Sequence, residues 1–321
     1  MKRLKNMLCY IDGEPDPGLL QRAVRWCHQH GARLTVGDVV EPPHSHELLS
    51  GSTDNARYIQ GMIVDDRRSQ LDAAIEKIES RGVAISTRVL VGDPLETILG
   101  AVQEYGFDFV AKEWAPAQGV RKRLFGSIDT KLMGACPCPV AIGRPRTDEE
   151  IRRIVVALDC DANDESKARL NQHILDTAAV ALAGERTELF VVHAWSMYGE
   201  SILTHGRGKS PPERFEEELE KARSKRQQWL DSLIDSYRAG LDEESSARFS
   251  PKLELLRGDP RVVIPSRVNE LEADILSLGT VARRGLSGLL IGNTSEEILD
   301  RVDCTVVLNK PVGFLTASSE S

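Results

Sequence analysis

Along the chain, short apolar runs alternate with longer amphipathic stretches. In the first half the runs are MLCYI, RLTVGDVV, STRVLV, FDFVAK and CPVAIG. In the second they are RIVVAL, TELFVVHAW, PKLELL, ADILSLG and CTVVLN. Their length and β-branched content are those of strands. Between them lie stretches with apolar residues three and four positions apart, as in a helix with one buried face. These are LLQRAVRWCHQHG, DDRRSQLDAAIEKIESRG and LETILGAVQEYG, then LNQHILDTAAVALAG, FEEELEKARSKRQQWLDSLIDSYRAG and VIPSRVNELE. Strands that are apolar throughout, separated by such helices, predict parallel βαβ units with both sheet faces covered. The expected fold is α/β: two tandem doubly wound domains, each on a five-stranded parallel sheet. Ligands of such sheets bind beyond the carboxyl ends of the strands, where the strand order reverses.

The two halves repeat each other. Gly92-Asp93-Pro94 recurs 166 positions later as Gly258-Asp259-Pro260, and Asp108, Gly126 and Cys138 recur at the same offset as Asp274, Gly292 and Cys304. A series held without a gap over this distance marks a duplicated unit. NMLCYIDGEPD corresponds to RIVVALDCDAND, so that Asp12 and Asp159 each close a first strand. The boundary falls in the polar GRPRTDEEIRR, which divides the chain into domains 1–147 and 148–321.

Composition adds exclusions more than assignments. The chain has 321 residues, a net charge of −8 and a pI near 5.5, a balance that argues against broad binding to nucleic acid or anionic membranes. The apolar part of the basic start, MLCYI, is too short for a signal-peptide core, and no run approaches a membrane span. A cytoplasmic protein is expected. Its six cysteines then read as buried thiols, and Cys136-Pro137-Cys138, without a second pair, is a poor zinc motif. Residues 205–229 read as an exposed loop running into a solvated, charged helix, and TASSES as a frayed tail.

Several residues lie where chemistry is expected. Asp93 and Asp259, each followed by proline, are placed to cap the next helix, with a secondary role facing a ligand. Asp159 fits two uses, accepting hydrogen bonds from a ribose or capping the following helix with Asp161 or Asn163. His193 reads as a packed strand histidine. In residues 279–299, GTVARRGLSGLLIGNTSEEIL, Gly279 ends a strand, where it is expected to let the backbone turn sharply and leave room for a ligand, and Gly292-Asn293-Thr294 opens a helix, with Thr294 and Glu297 at capping-box spacing. The amides of such a helix start, with Arg283 and Arg284 nearby, can hold an anion, or the segment can be a plain connection. The Walker motif is absent.

LGTVARRGLSGLLIGNTSEEIL together with CTVVLNKP, LLRGDP and FVVHAW resembles the universal stress protein family, in its tandem-domain form, over nearly the whole chain. The resemblance implies the adenine nucleotide alpha hydrolase-like fold. It also implies that ATP or another adenine nucleotide binds in the second domain, at Asp159, Ala194, Gly279, Thr280, Ala282, Gly292, Asn293 and Thr294. Mg2+ would accompany the nucleotide, and no metal of the protein's own is expected. Where the family pattern has glycine and a hydroxyl residue, this chain has Ala282 and Asn293. In the first copy Glu113 and Pro116 stand where Gly279 and Ala282 stand in the second, and only Gly126-Ser127 keeps the pattern. That loop is degenerate, and Glu113 would repel a triphosphate. Arg121, Lys122 and Arg123 read as a solvated basic turn.

The resemblance further implies a non-catalytic scaffold or sensor in stress survival. It implies pairing through the last strands, either between the two copies of one chain or in a homodimer, with no nucleic-acid or membrane partner. The alternatives are a slow ATPase and a binder of another small molecule, a lipid or metabolite, between the domains.

Overall fold

A computed structural model of the chain describes residues 4–43, 53–114, 128–143, 151–160, 164–182, 187–197, 212–280, 283–285 and 288–311. The first half runs β1 (Asn6–Tyr10), α1 (Pro17–His30), β2 (Arg33–Val40), α2 (Thr53–Glu76), β3 (Ile85–Val91), α3 (Pro94–Tyr105), β4 (Phe109–Glu113), α4 (Ile128–Ala135) and β5 (Val140–Gly143). The second runs β6 (Arg153–Ala157), α5 (Glu165–Ala181), β7 (Glu188–Trp195), α6 (Pro212–Ala239), α7 (Glu243–Arg248), β8 (Lys252–Arg257), α8 (Pro260–Glu270), β9 (Ile275–Gly279), β10 (Arg283–Gly285), β11 (Gly288–Leu290), α9 (Asn293–Leu299) and β12 (Thr305–Asn309). All ten strands expected from the apolar runs are present. The hairpin of β10 and β11 was not expected: it forms inside the stretch read as a loop, pairing Arg283 with Leu290 and Gly285 with Gly288. Ala282, Arg121–Arg123, Gly126-Ser127, the loop part of 205–229 and the terminal tail lie outside the described residues.

The ten long strands form one sheet in the order β3-β2-β1-β4-β5-β12-β9-β6-β7-β8. In this sheet every pairing within a half is parallel. The halves join where β5 and β12 run antiparallel, with Val306 opposite Ile142 and Leu308 opposite Val140. The last strands therefore pair within the chain. Both faces of the inner strands are buried, which explains their unbroken apolar runs, while the edge strands β3 and β8 have no fully buried residue. Ile154 and Val156 of β6 enter the core on the face of α1, α2, α5 and α6, while Val155 between them enters the core on the other face.

The repeated Gly-Asp-Pro motifs are helix starts, as expected. The Asp93 side chain accepts from the Glu96 amide at 3.0 Å and Asp259 from the Arg261 amide at 2.9 Å, each with proline at the start of its helix. Gly258 has φ +139°, where a Cβ would lie 2.6 Å from Val263 Cγ1, so a side chain is excluded twice over.

Candidate functional site

In the second half the strand order reverses between β6 and β9, and their carboxyl ends open onto a cleft of about 560 Å³. Asp159, Ala194, Gly279, Gly292, Asn293 and Thr294 all line it. Residues far apart in sequence thus converge because each follows the end of a parallel strand or opens the next helix. Leu170 and Ile174 of α5 and Ile264 of α8 contribute apolar wall.

Asp159 does not cap α5. That task falls to Asp164, whose carboxylate accepts from the Ser166 amide at 2.9 Å and the Lys167 amide at 3.3 Å. Asp159 is therefore available to the cleft, and its Oδ2 lies 2.8 Å from Lys167 Nζ. Its backbone is held by Asn171: the Asn171 amide group donates to the Asp159 carbonyl at 2.8 Å and accepts from the Asp159 N–H at 3.3 Å. Lys167 and Asn171, both on the cleft, were not found in the sequence. The signal was their spacing of one helical turn, which puts both on the face of α5 toward Asp159.

The glycine-rich side has a different construction from the one expected. Gly279 is not a turn that leaves ligand space. A Cβ there would lie 2.7 Å from Leu170 Cδ2 and 2.9 Å from Ile174 Cδ1, so the missing side chain makes room for α5. Thr280 is buried and is not among the residues that line the cleft. Its N–H donates to the Asn309 carbonyl at 2.9 Å, and its Oγ1 accepts from the Gly292 amide at 3.1 Å. The Ser295 hydroxyl donates to the Gly279 carbonyl at 3.2 Å. Together these bonds lock the end of β9 to the start of α9. The capping box does not form: the N-cap is Gly292, with no side-chain cap bond, and Glu297 reaches Arg261 at 3.2 Å instead. The first residues of α9 therefore line the cleft with no side-chain cap over their amides. Gly292 itself has φ −64° and ψ 140°, allowed for any residue, so no backbone strain requires glycine there.

His193 packs as expected. Its Nδ1–H donates to the Leu158 carbonyl at 3.0 Å, its ring leans on Trp229 at 5.2 Å, and burial holds its pKa below the usual range.

The first half has filled the same place with its own charges. Lys112, at the position of Leu278, is 1 % exposed. Its Nζ lies 2.9 Å from Asp129 Oδ1 and 3.2 Å from Asp12 Oδ2, and donates to the Glu113 carbonyl at 3.0 Å. Asp129, at the position of Ser295, is fully buried. The first-strand aspartate of this half is thus bound to an internal ammonium. Burial pushes the Glu113 carboxyl up, with the carboxylate of Asp16 adding to it and Arg22 opposing.

The model of the universal stress protein family, described as "Universal stress protein family", matches residues 3–144 and again residues 150–310. The chain belongs to the universal stress protein family. It carries the family domain twice, which supports a role in stress response. It is 24 % identical over 316 residues to the Universal stress protein E homolog of Haemophilus influenzae, covering 96 % of this chain and 98 % of that one. To Universal stress protein E of Escherichia coli K12 it is 25 % identical over 320 residues, covering 98 % and 97 %. Among solved structures, a protein of unknown function from Pseudomonas aeruginosa PAO1 superposes with a TM-score of 0.65 at 23 % identity, over 96 % of this chain and 93 % of that one. A universal stress protein of Archaeoglobus fulgidus gives 0.58 at 17 %, over 96 % and 97 %. These likenesses support the same doubly wound fold. No helix among the described residues is long and apolar enough to cross a membrane, and no cluster of metal-ligating side chains occurs among them.

Proposed function

We propose that the chain is a cytoplasmic, non-catalytic stress-response protein that binds an adenine nucleotide, ATP in the first instance, in the cleft of its second domain (148–321), while its first domain (1–147) binds none. The observation that carries this reading is the meeting of opposite chemistries in one cleft of nucleotide size: a carboxylate, an ammonium, uncapped helix amides and an apolar wall. Asp159 would accept hydrogen bonds from ribose hydroxyls. Lys167 and the first amides of α9 would hold phosphate oxygens. Leu170, Ile174 and Ile264 would cover the base, and Mg2+ would arrive with the nucleotide. Occupancy would alter the shape or pairing that a partner protein reads.

Mass spectrometry of protein purified without added nucleotide tests the reading, joined to a thermal shift with Mg-ATP. Co-purified nucleotide or a concentration-dependent rise in Tm is expected, and Gly292→Val should abolish both by filling the cleft. The absence of both a bound mass and a shift would overturn the reading. Phosphate release well above a blank would replace it with the slow-ATPase alternative.

A further inference from the structure

Outside the second-half cleft and the buried charge cluster of the first half, one cluster of nucleophilic side chains is built as a unit. Cys136 and Cys138 flank Pro137 between the end of α4 and the start of β5. Their sulfurs lie 3.4 Å apart, with Cys136 fully buried and Cys138 9 % exposed. Lys310, 174 positions on and directly after β12, is 3 % exposed, and its Nζ donates to the Cys136 carbonyl at 2.8 Å. A lysine is rarely buried without a role for its charge. Here burial lowers its pKa to about 8, while the two neighbouring sulfurs pull it back up. The two thiols share a hydrogen bond in which either sulfur can be the donor. That bond, aided by Lys310, lowers the Cys136 pKa against the effect of burial and raises that of Cys138. Cys9 and Cys27 provide the contrast: buried without such a partner arrangement, their thiols are pushed up, Cys27 to about 12.

We propose that Cys136 and Cys138 form a dithiol that hydrogen peroxide oxidises to an intrachain disulfide, with Lys310 as the positioning cation that favours the Cys136 thiolate. Peroxide suits the site because it is neutral and little larger than water, whereas a bulky disulfide reagent would not reach buried sulfur. The Cys136 thiolate attacks one peroxide oxygen. The O–O bond breaks, the departing hydroxide takes up the proton that Cys136 had released, and water leaves. Cys136 is then a sulfenic acid. The Cys138 sulfur attacks the Cys136 sulfur, the S–O bond breaks, and hydroxide leaves as a second water with the Cys138 proton. Two thiols lose two electrons and one peroxide becomes two waters. The sulfurs need approach only from 3.4 Å to a bond length of about 2.05 Å. This proposal stands apart from the nucleotide reading and does not depend on it.

The test is peroxide titration of the full chain followed by peptide mapping, with Met62, 56 % exposed, as the internal dose marker. A loss of two hydrogens, mapped to a link between Cys136 and Cys138 before Met62 is converted, is expected. Cys138→Ser should stop at a Cys136 sulfenic acid that a 1,3-diketone reagent traps. Lys310→Met should slow oxidation about tenfold and reduce the thiolate ultraviolet absorbance, with Lys310→Arg restoring most of both. Both thiols still free when Met62 is fully oxidised would overturn the proposal, as would sulfinic acids without a link. Unchanged rate and absorbance in folded Lys310→Met would overturn the role given to Lys310.

Discussion

The carboxylate of Asp159 and the ammonium of Lys167 lie 2.8 Å apart at the mouth of the second-half cleft, the aspartate mostly exposed and the lysine partly so. An ion pair this wet contributes little to folding. Under the proposed function, a ligand exchanges for either partner. Lys167→Met should therefore weaken ATP binding by about tenfold, as loss of one charge-assisted contact would, and Lys167→Arg should retain most of it. The Tm without ligand should move by no more than about 2 °C. Isothermal titration beside thermal melts checks both parts.

Gly279 and Leu170 are complementary shapes. Gly279→Val places a branched Cβ against Leu170 and Ile174 at distances that need a shift of α5. Overpacking of this kind should cost about 1–3 kcal/mol in urea unfolding. Leu170→Ala alone should also destabilise, but joined to Gly279→Val it should recover part of the loss, a coupling that a double-mutant cycle measures.

In the first half, Lys112 carries the charge that keeps Asp129 tolerable at zero exposure. Lys112→Met removes the cation and should destabilise the chain by about 3 kcal/mol. Lys112→Leu with Asp129→Ser installs the pair that the second half carries as Leu278 and Ser295. That double variant should be markedly more stable than Lys112→Met, as urea midpoints would reveal.

His193 makes stability depend on pH. Burial lowers its pKa from the ordinary 6.5, so in acid the unfolded chain takes up a proton that the folded chain refuses. The stability it contributes is complete above about pH 6.5 and is lost as pH falls below that value. Unfolding midpoints measured from about pH 7.5 to 5.5 should fall more steeply for the wild type than for His193→Gln, which cannot titrate.

Much of the candidate site is legible in the sequence. Asp159, Gly279, Gly292, Asn293 and Thr294 sit at strand ends or a helix start, and parallel sheets bring such places together by topology alone. Thr280 was legible as a member of the segment but not as its inner clasp, because its partners Gly292 and Asn309 lie 12 and 29 positions away in sequence. Lys167 was missed because a lone lysine in a helical pattern reads as solvated surface until Asp159 is seen beside it. The capping box was expected from spacing that Thr294 and Glu297 do have, but Glu297 finds a stronger partner in Arg261, which arrives from another helix.

The sequence by itself determined the order of strands and helices, the duplication and the capped helix starts. These follow from periodicities of two and about 3.6 residues and from contacts within a few positions, which short segments carry locally. Tertiary structure decided the rest. It joined β5 to β12 in antiparallel register within one chain, set Leu170 in the space above Gly279, turned Lys112 and Asp129 into a buried pair where the second half keeps a cleft, and brought Lys310 to Cys136. Each of these is a choice of which distant side chains share one volume, and that is settled only when packing and desolvation act on the whole sheet at once.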